Sequence, residues 1–118
     1  GQLLASATFS AETATGWQQV SFATPVPITA NTVYVASYFA PKGGYAVDTG
    51  YFATRGVDRP PIHLLQDGVS GANGLYAYSS ASTFPSVSYR SNNYWVDVVF
   101  TAAGAADTTP LGPSDSVT

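Results

Sequence analysis

The sequence predicts an all-β fold, an antiparallel β-sandwich with either jelly-roll or immunoglobulin-like connections. Three observations carry that prediction. Apolar and polar residues alternate over short stretches, Gly- and Pro-rich turns separate the stretches, and no convincing helical period appears. Alternation at period two sends one side-chain set to a core and the other to solvent, as a half-buried strand requires. These signals do not separate the two kinds of connection.

Gln2 to Phe9 opens the chain with Leu3, Ala5, Ala7 and Phe9 on one face and Ser6 and Thr8 opposite. Ala11 to Gly16 is a polar turn, and WQQVSFA follows from Trp17 with Val20 and Phe22 directed inward. Pro25 and Pro27 interrupt any ladder, so Thr24 to Asn31 is a connection. The next strand is TVYVASYF, Thr32 to Phe39, which divides Val33, Val35 and Phe39 from Tyr34, Ala36 and Tyr38. It reads as a core strand, and Tyr34 and Tyr38 as packing residues. After a break at Pro41–Gly44 comes an aromatic-rich segment containing Tyr45, Asp48, Tyr51 and Phe52.

The stretch from Ala53 to Gly68 reads as an irregular excursion, with Pro60-Pro61 extended and Ile62, Leu64 and Leu65 pinning it to the core. Gly68 to Gly74 is a loop, Leu75 to Tyr78 a short strand, and Phe84 to Tyr89 another. Arg90 to Asn93 turns the chain into YWVDVVF, the clearest strand signal, with Tyr94, Val96, Val98 and Phe100 opposed to Trp95, Asp97 and Val99. Residues 1–101 are thus expected to form the sandwich module. Residues 102–118, rich in Ala, Thr, Pro and Ser, read as a linker.

The chain's 118 residues suffice for one domain with a real core, and 45% hydrophobic residues exclude disorder throughout. Charged residues are only 9% of the chain, against about 25% in ordinary soluble domains, so solubility rests on uncharged polar groups. Four basic residues, Lys42, Arg55, Arg59 and Arg90, are scattered among seven acidic ones, which excludes a nucleic-acid stripe. No run is long enough to insert in a membrane as a helix. Cysteine is absent, so disulfides and thiolate chemistry are excluded. The start at Gly1 leads us to expect a piece of a longer polypeptide.

The string ETATGWQQVSFATPVPITANTVYVASYFAPKGGYAVDTGYF, followed by SNNYWVDVVF, resembles the domain of unknown function 4082 family of bacterial extracellular proteins. Matching positions include Gly16, Trp17, Tyr45, Asp48, Tyr51 and Phe52, then Asn93, Tyr94, Trp95 and Asp97. The resemblance implies a secreted or cell-surface accessory module within a large multidomain protein, and it brings no catalytic residues. It also implies further strands before Gly1. On that pattern, a neighbouring domain or another chain is expected to complete the sandwich.

Catalysis is not expected. The single histidine, His63, has no flanking motif and reads as a loop residue, and no spacing pairs the carboxylates. A structural calcium ion would draw on Asp48, Asp58 and Asp67, although no Asp-rich calcium loop is present. Carbohydrate or a cell-surface glycan is the expected ligand, because exposed rings stack on sugar faces while amides and carboxylates bond hydroxyls. The expected binding residues are Tyr45, Asp48, Tyr51, Asn93 and Trp95, and the alternative is a spacer or assembly module without a small ligand.

Overall fold

The computed structural model describes residues 1–102, which contain short strands, turns and extended chain. Four strands are present: β1 (Val57–Arg59), β2 (Ile62–Leu64), β3 (Leu75–Tyr76) and β4 (Val87–Ser88). They form two antiparallel sheets, β1–β2 and β3–β4, and no helix occurs among the described residues. The all-β class therefore holds. Contacts divide the chain into two compact units, Gly1–Thr32 and Val33–Thr118. The expected linker lies outside the described residues from position 103 onward.

In the first unit the polar turn forms as the sequence implies. Gly16 takes a positive φ of 85°, and Gln18 clamps the turn through its side chain. Its Oε1 accepts the Thr13 N–H at 2.9 Å, while its Nε2 donates to Thr13 Oγ1 at 2.7 Å and to the Gly16 carbonyl at 3.1 Å. The flanking stretches from Leu3 and from Trp17 do not join ladders. Leu3, Val20 and Phe22, expected to face a core, are exposed.

The second unit is built on the β1–β2 hairpin, in the stretch the sequence reads as irregular. Asp58 lies opposite His63, with Val57 opposite Leu64 and Arg59 opposite Ile62. Ile62 and Leu64 are buried and His63 between them is exposed, so the alternation is that of a two-faced strand. Pro60-Pro61, joined by a cis peptide bond, occupies the two-residue connection. Proline is a poor ladder residue because it lacks an N–H, but a connection needs no ladder donor there. His63 is thus a strand residue, and its Nδ1 meets Asp58 Oδ1 at 2.8 Å across the ladder.

Phe52 is the most deeply buried large side chain, at 1% exposure. Its N–H donates to the Ser91 carbonyl and its own carbonyl accepts the Asp67 N–H, both at 3.0 Å. The Asp67 side chain then holds the next loop, accepting the Asn73 N–H at 2.8 Å and the Ser91 hydroxyl at 2.7 Å. Those two bonds, the Asn73 amide foremost, hold the Asp67 carboxyl below the usual carboxylate range.

The expected strands TVYVASYF and YWVDVVF form no ladder among the described residues, and the one isolated bridge nearby, at Asn93, lies just before the second. Trp95 has a φ of 55°, a left-handed conformation uncommon for a bulky residue, and it breaks the regular extension that alternation alone suggests. Asn93 stabilises the break by accepting the Trp95 N–H on its side-chain oxygen at 2.8 Å.

Two predictions follow from these contacts. A Cβ at Gly74 (φ 76°) would collide with the Asn92 backbone, whereas one at Gly71 (φ 89°) meets open space. Gly71→Ala should therefore lose only about 1 kcal/mol in urea denaturation, the left-handed penalty alone. Gly74→Ala should lose more than ~2 kcal/mol, because collision is added to strain. For Asp67, a carboxylate whose folded pKa is depressed stabilises the fold fully above the unfolded value of about 4. That contribution is lost as pH falls through the folded value. Melting curves of Asp67→Asn should start lower at pH 7 and decline less than wild type between pH 5 and 3.

Candidate functional site

A four-bond backbone seam positions the site. Asp48 and Asn93 exchange both N–H···O bonds at 3.0 Å as an isolated antiparallel bridge. Gly50 N–H then donates to the Arg90 carbonyl at 2.9 Å, and Phe52 N–H to the Ser91 carbonyl at 3.0 Å. Gly50 (φ 75°), Arg90 (φ 53°) and Ser91 (φ 49°) are left-handed, so the two segments curl around one another and do not run on as a flat ladder.

Side chains leave this seam on two sides. On one side Trp95 Nε1 donates to Asp48 Oδ2 at 2.8 Å. The Tyr51 ring stands edge-on to Trp95 at 5.5 Å and to Phe52 at 5.0 Å, and the Arg55 guanidinium lies 5.5 Å from the Tyr51 ring centre. Four of the five expected binding residues, Asp48, Tyr51, Asn93 and Trp95, thus come together. The Asp48 carboxylate and the Asn93 side-chain oxygen are both engaged with Trp95, and Asn93 is buried at 3% exposure.

On the other side lies a groove of about 510 Å³. Val47 and Thr49 line it on either side of Asp48 in sequence, and Asn92, Tyr94 and Val96 alternate with Asn93 and Trp95 in the same way. Tyr45 also faces this groove, so the structure separates it from the other four expected residues. Six tyrosines contribute to the lining: Tyr38, Tyr45, Tyr76, Tyr78, Tyr89 and Tyr94. Four of them form a run of ring contacts, from Tyr45 to Tyr94 at 5.7 Å, Tyr94 to Tyr76 at 6.5 Å and Tyr76 to Tyr78 at 5.5 Å. Tyr38 donates its hydroxyl to the Tyr94 carbonyl at 3.2 Å, and burial raises its pKa, with Tyr45 and Tyr94 adding to the rise. The phenol is therefore a neutral donor at physiological pH.

Sequence reading assigned Tyr38 to packing, yet it is 40% exposed in the groove wall. The available signal was the odd-numbered set Tyr45, Val47 and Thr49, which shares a face by period two and excludes Asp48. The carboxylates considered for calcium are dispersed, with Asp48 on Trp95, Asp58 on His63 and Asp67 on Ser91. Among the described residues no three His, Asp or Glu side chains gather to hold a metal ion.

The fold and groove define an all-β module with a ring-lined recess. The chain belongs to the family described as a domain of unknown function (DUF4082), whose model matches residues 1–96. No curated protein and no solved structure matches it.

The Asp48–Trp95 bond gives a third prediction. A double-mutant cycle with Asp48→Ala and Trp95→Phe, read by urea denaturation, should give a coupling of about 1 kcal/mol. Additive losses would mean that the bond contributes nothing to stability.

Proposed function

We propose that this domain is a non-catalytic, extracellular accessory module of a bacterial multidomain protein, and that it binds carbohydrate in the tyrosine-lined groove. The observation that carries this reading is the gathering of six tyrosines around one recess, of which Tyr45 is 54% and Tyr78 88% exposed. Apolar ring faces suit the C–H face of a pyranose, and phenolic hydroxyls beside them suit its hydroxyls. The volume lies in the usual range for small-ligand sites, roughly 300–1,000 Å³. His63 and its partner Asp58 sit on the hairpin and do not line the groove, which favours binding without catalysis. The low charge content fits a secreted, sugar-facing surface.

On this reading Tyr45 contacts the ligand. Asp48, Tyr51, Asn93 and Trp95 brace the back of the groove. The two-layer sandwich belongs to the same proposal, with a neighbouring domain or another chain supplying further strands.

A second reading, an assembly module without a small ligand, is favoured by the extended segments outside the ladders. In the second unit these carry Val33 at 53%, Phe39 at 42% and Val99 at 50% exposure. Strand addition by a partner would cover such residues.

A glycan array with the intact domain tests the first reading. Tyr45→Ala and Tyr78→Ala should each weaken a bound glycan by about tenfold, the effect of losing one stacked ring. Asp48→Ala should change affinity little if it stays folded. An array without any bound glycan, together with an oligomer in light scattering, would favour the assembly module.

A further inference from the structure

The groove's lining holds a second feature besides its rings: it contains no Asp, Glu, Lys or Arg side chain. Two cations adjoin lining residues in sequence, Lys42 beside Gly43 and Arg90 beside Tyr89; neither is itself part of the lining, and Arg90 lies over the Tyr89 ring at 5.0 Å. A charged ligand entering this recess would exchange water for phenols, serine and threonine hydroxyls, methyls and backbone, and no opposite charge in the lining would offset its desolvation. An uncharged ligand meets no such penalty.

The third feature is Asn92, which lines the groove at 6% exposure. Its Nδ2 donates to the Tyr94 hydroxyl at 3.2 Å. Its Oδ1 is buried and accepts no hydrogen bond. An unmet buried acceptor is uncommon in folded proteins and is destabilising, and a bound hydroxyl would relieve it. Asn92 is also held firmly, because its backbone packs so closely on Gly74 that no side chain fits there. Exchanging the amide oxygen and nitrogen would bond Tyr94 through the oxygen and leave the nitrogen unmet. A hydroxyl, which both donates and accepts, completes either arrangement, and because the oxygen is fully enclosed a ligand hydroxyl reaches it only where the groove wall over it gives way.

We propose that the groove selects an uncharged, hydroxyl-rich glycan chain, and that the Asn92 amide bonds one of its hydroxyls while the tyrosine rings stack on its faces. This rests on the carbohydrate reading above and narrows it to neutral sugars. Uronate-, sialate- and sulfate-bearing chains are excluded. Asn92 is the specificity-determining polar contact.

The experiment is affinity electrophoresis and calorimetry of the wild-type domain with two groups of soluble polysaccharides. Xylan, mixed-linkage β-glucan and galactomannan are the neutral probes, and alginate and polygalacturonate the acidic ones. At least one neutral probe should bind, with affinity changing less than about twofold between 50 and 500 mM NaCl, since no ion pair is screened. The acidic probes should not bind. Asn92→Ala, checked for folding by circular dichroism, should weaken the neutral probe by about tenfold, the effect of one well-placed hydrogen bond. Salt-sensitive binding of an acidic probe would overturn the neutral selection and leave the carbohydrate reading standing. Retention of neither group would overturn both. A folded Asn92→Ala with unchanged affinity would overturn the role of Asn92. The wild-type arms decide the selectivity whether or not the variant folds.

Discussion

The second unit depends on one short seam, the four backbone bonds that tie residues 48–52 to residues 90–93. Phe52, at the end of that seam, is the most buried large side chain, and its backbone passes the connection on to Asp67. Asp67 in turn fixes Ser91 and Asn73. Asn73 then accepts the Gly74 N–H on its side-chain oxygen, at the point where Gly74 packs on Asn92. Local turns, loop anchoring and the groove floor thus form one closed circuit. Because three of the seam's residues are left-handed, the circuit cannot slide by a residue as a flat, uniform ladder can.

The seam also explains why the two aromatic groups differ in character. A period-two segment sends neighbours to opposite sides. Beside Asp48 and Trp95 the rings interlock with a carboxylate and a guanidinium, so charge is present and already used. Beside Val47 and Tyr94 the rings face a recess without charge. The same few residues thus present a face of interlocked rings and charges on one side and an uncharged recess on the other.

How far these features were legible varies with their physical origin. The all-β class could be read from turns and alternation, because Gly16, Gly68 and Gly74 occupy positive φ where turns were expected. The β3 and β4 strands fall inside the expected stretches at Leu75–Tyr78 and Phe84–Tyr89. The hairpin at Val57–Leu64 was hidden because Pro60-Pro61 signals interruption, and composition does not reveal that the interruption is itself the connection. YWVDVVF has strong strand propensity, but Asn93 and a left-handed Trp95 redirect its start. For the site, Tyr45 and the Asp48–Trp95 neighbourhood were legible as clustered chemistry. Asn92 was legible only as one of several amides near the rings, because what singles it out is a bond it fails to make, which no residue type announces.

The wall of the groove links the two functional readings. Residues Ala36 to Ala40 all contribute to the lining, and none of them joins a ladder. A segment inside a continuous sheet would present only every second residue to one face. This wall therefore behaves as free-standing chain, tied to Tyr94 through the Tyr38 hydroxyl. A partner strand added along it would satisfy its backbone and cover Phe39, but it would also impose alternation and turn some of these residues away from the recess. The groove described here and a completed sheet at this edge are consequently competing arrangements of one segment. Ligand binding that holds Tyr38 and Tyr45 against Tyr94 would oppose strand addition, and strand addition would reshape the groove, so occupancy of either would be felt by the other.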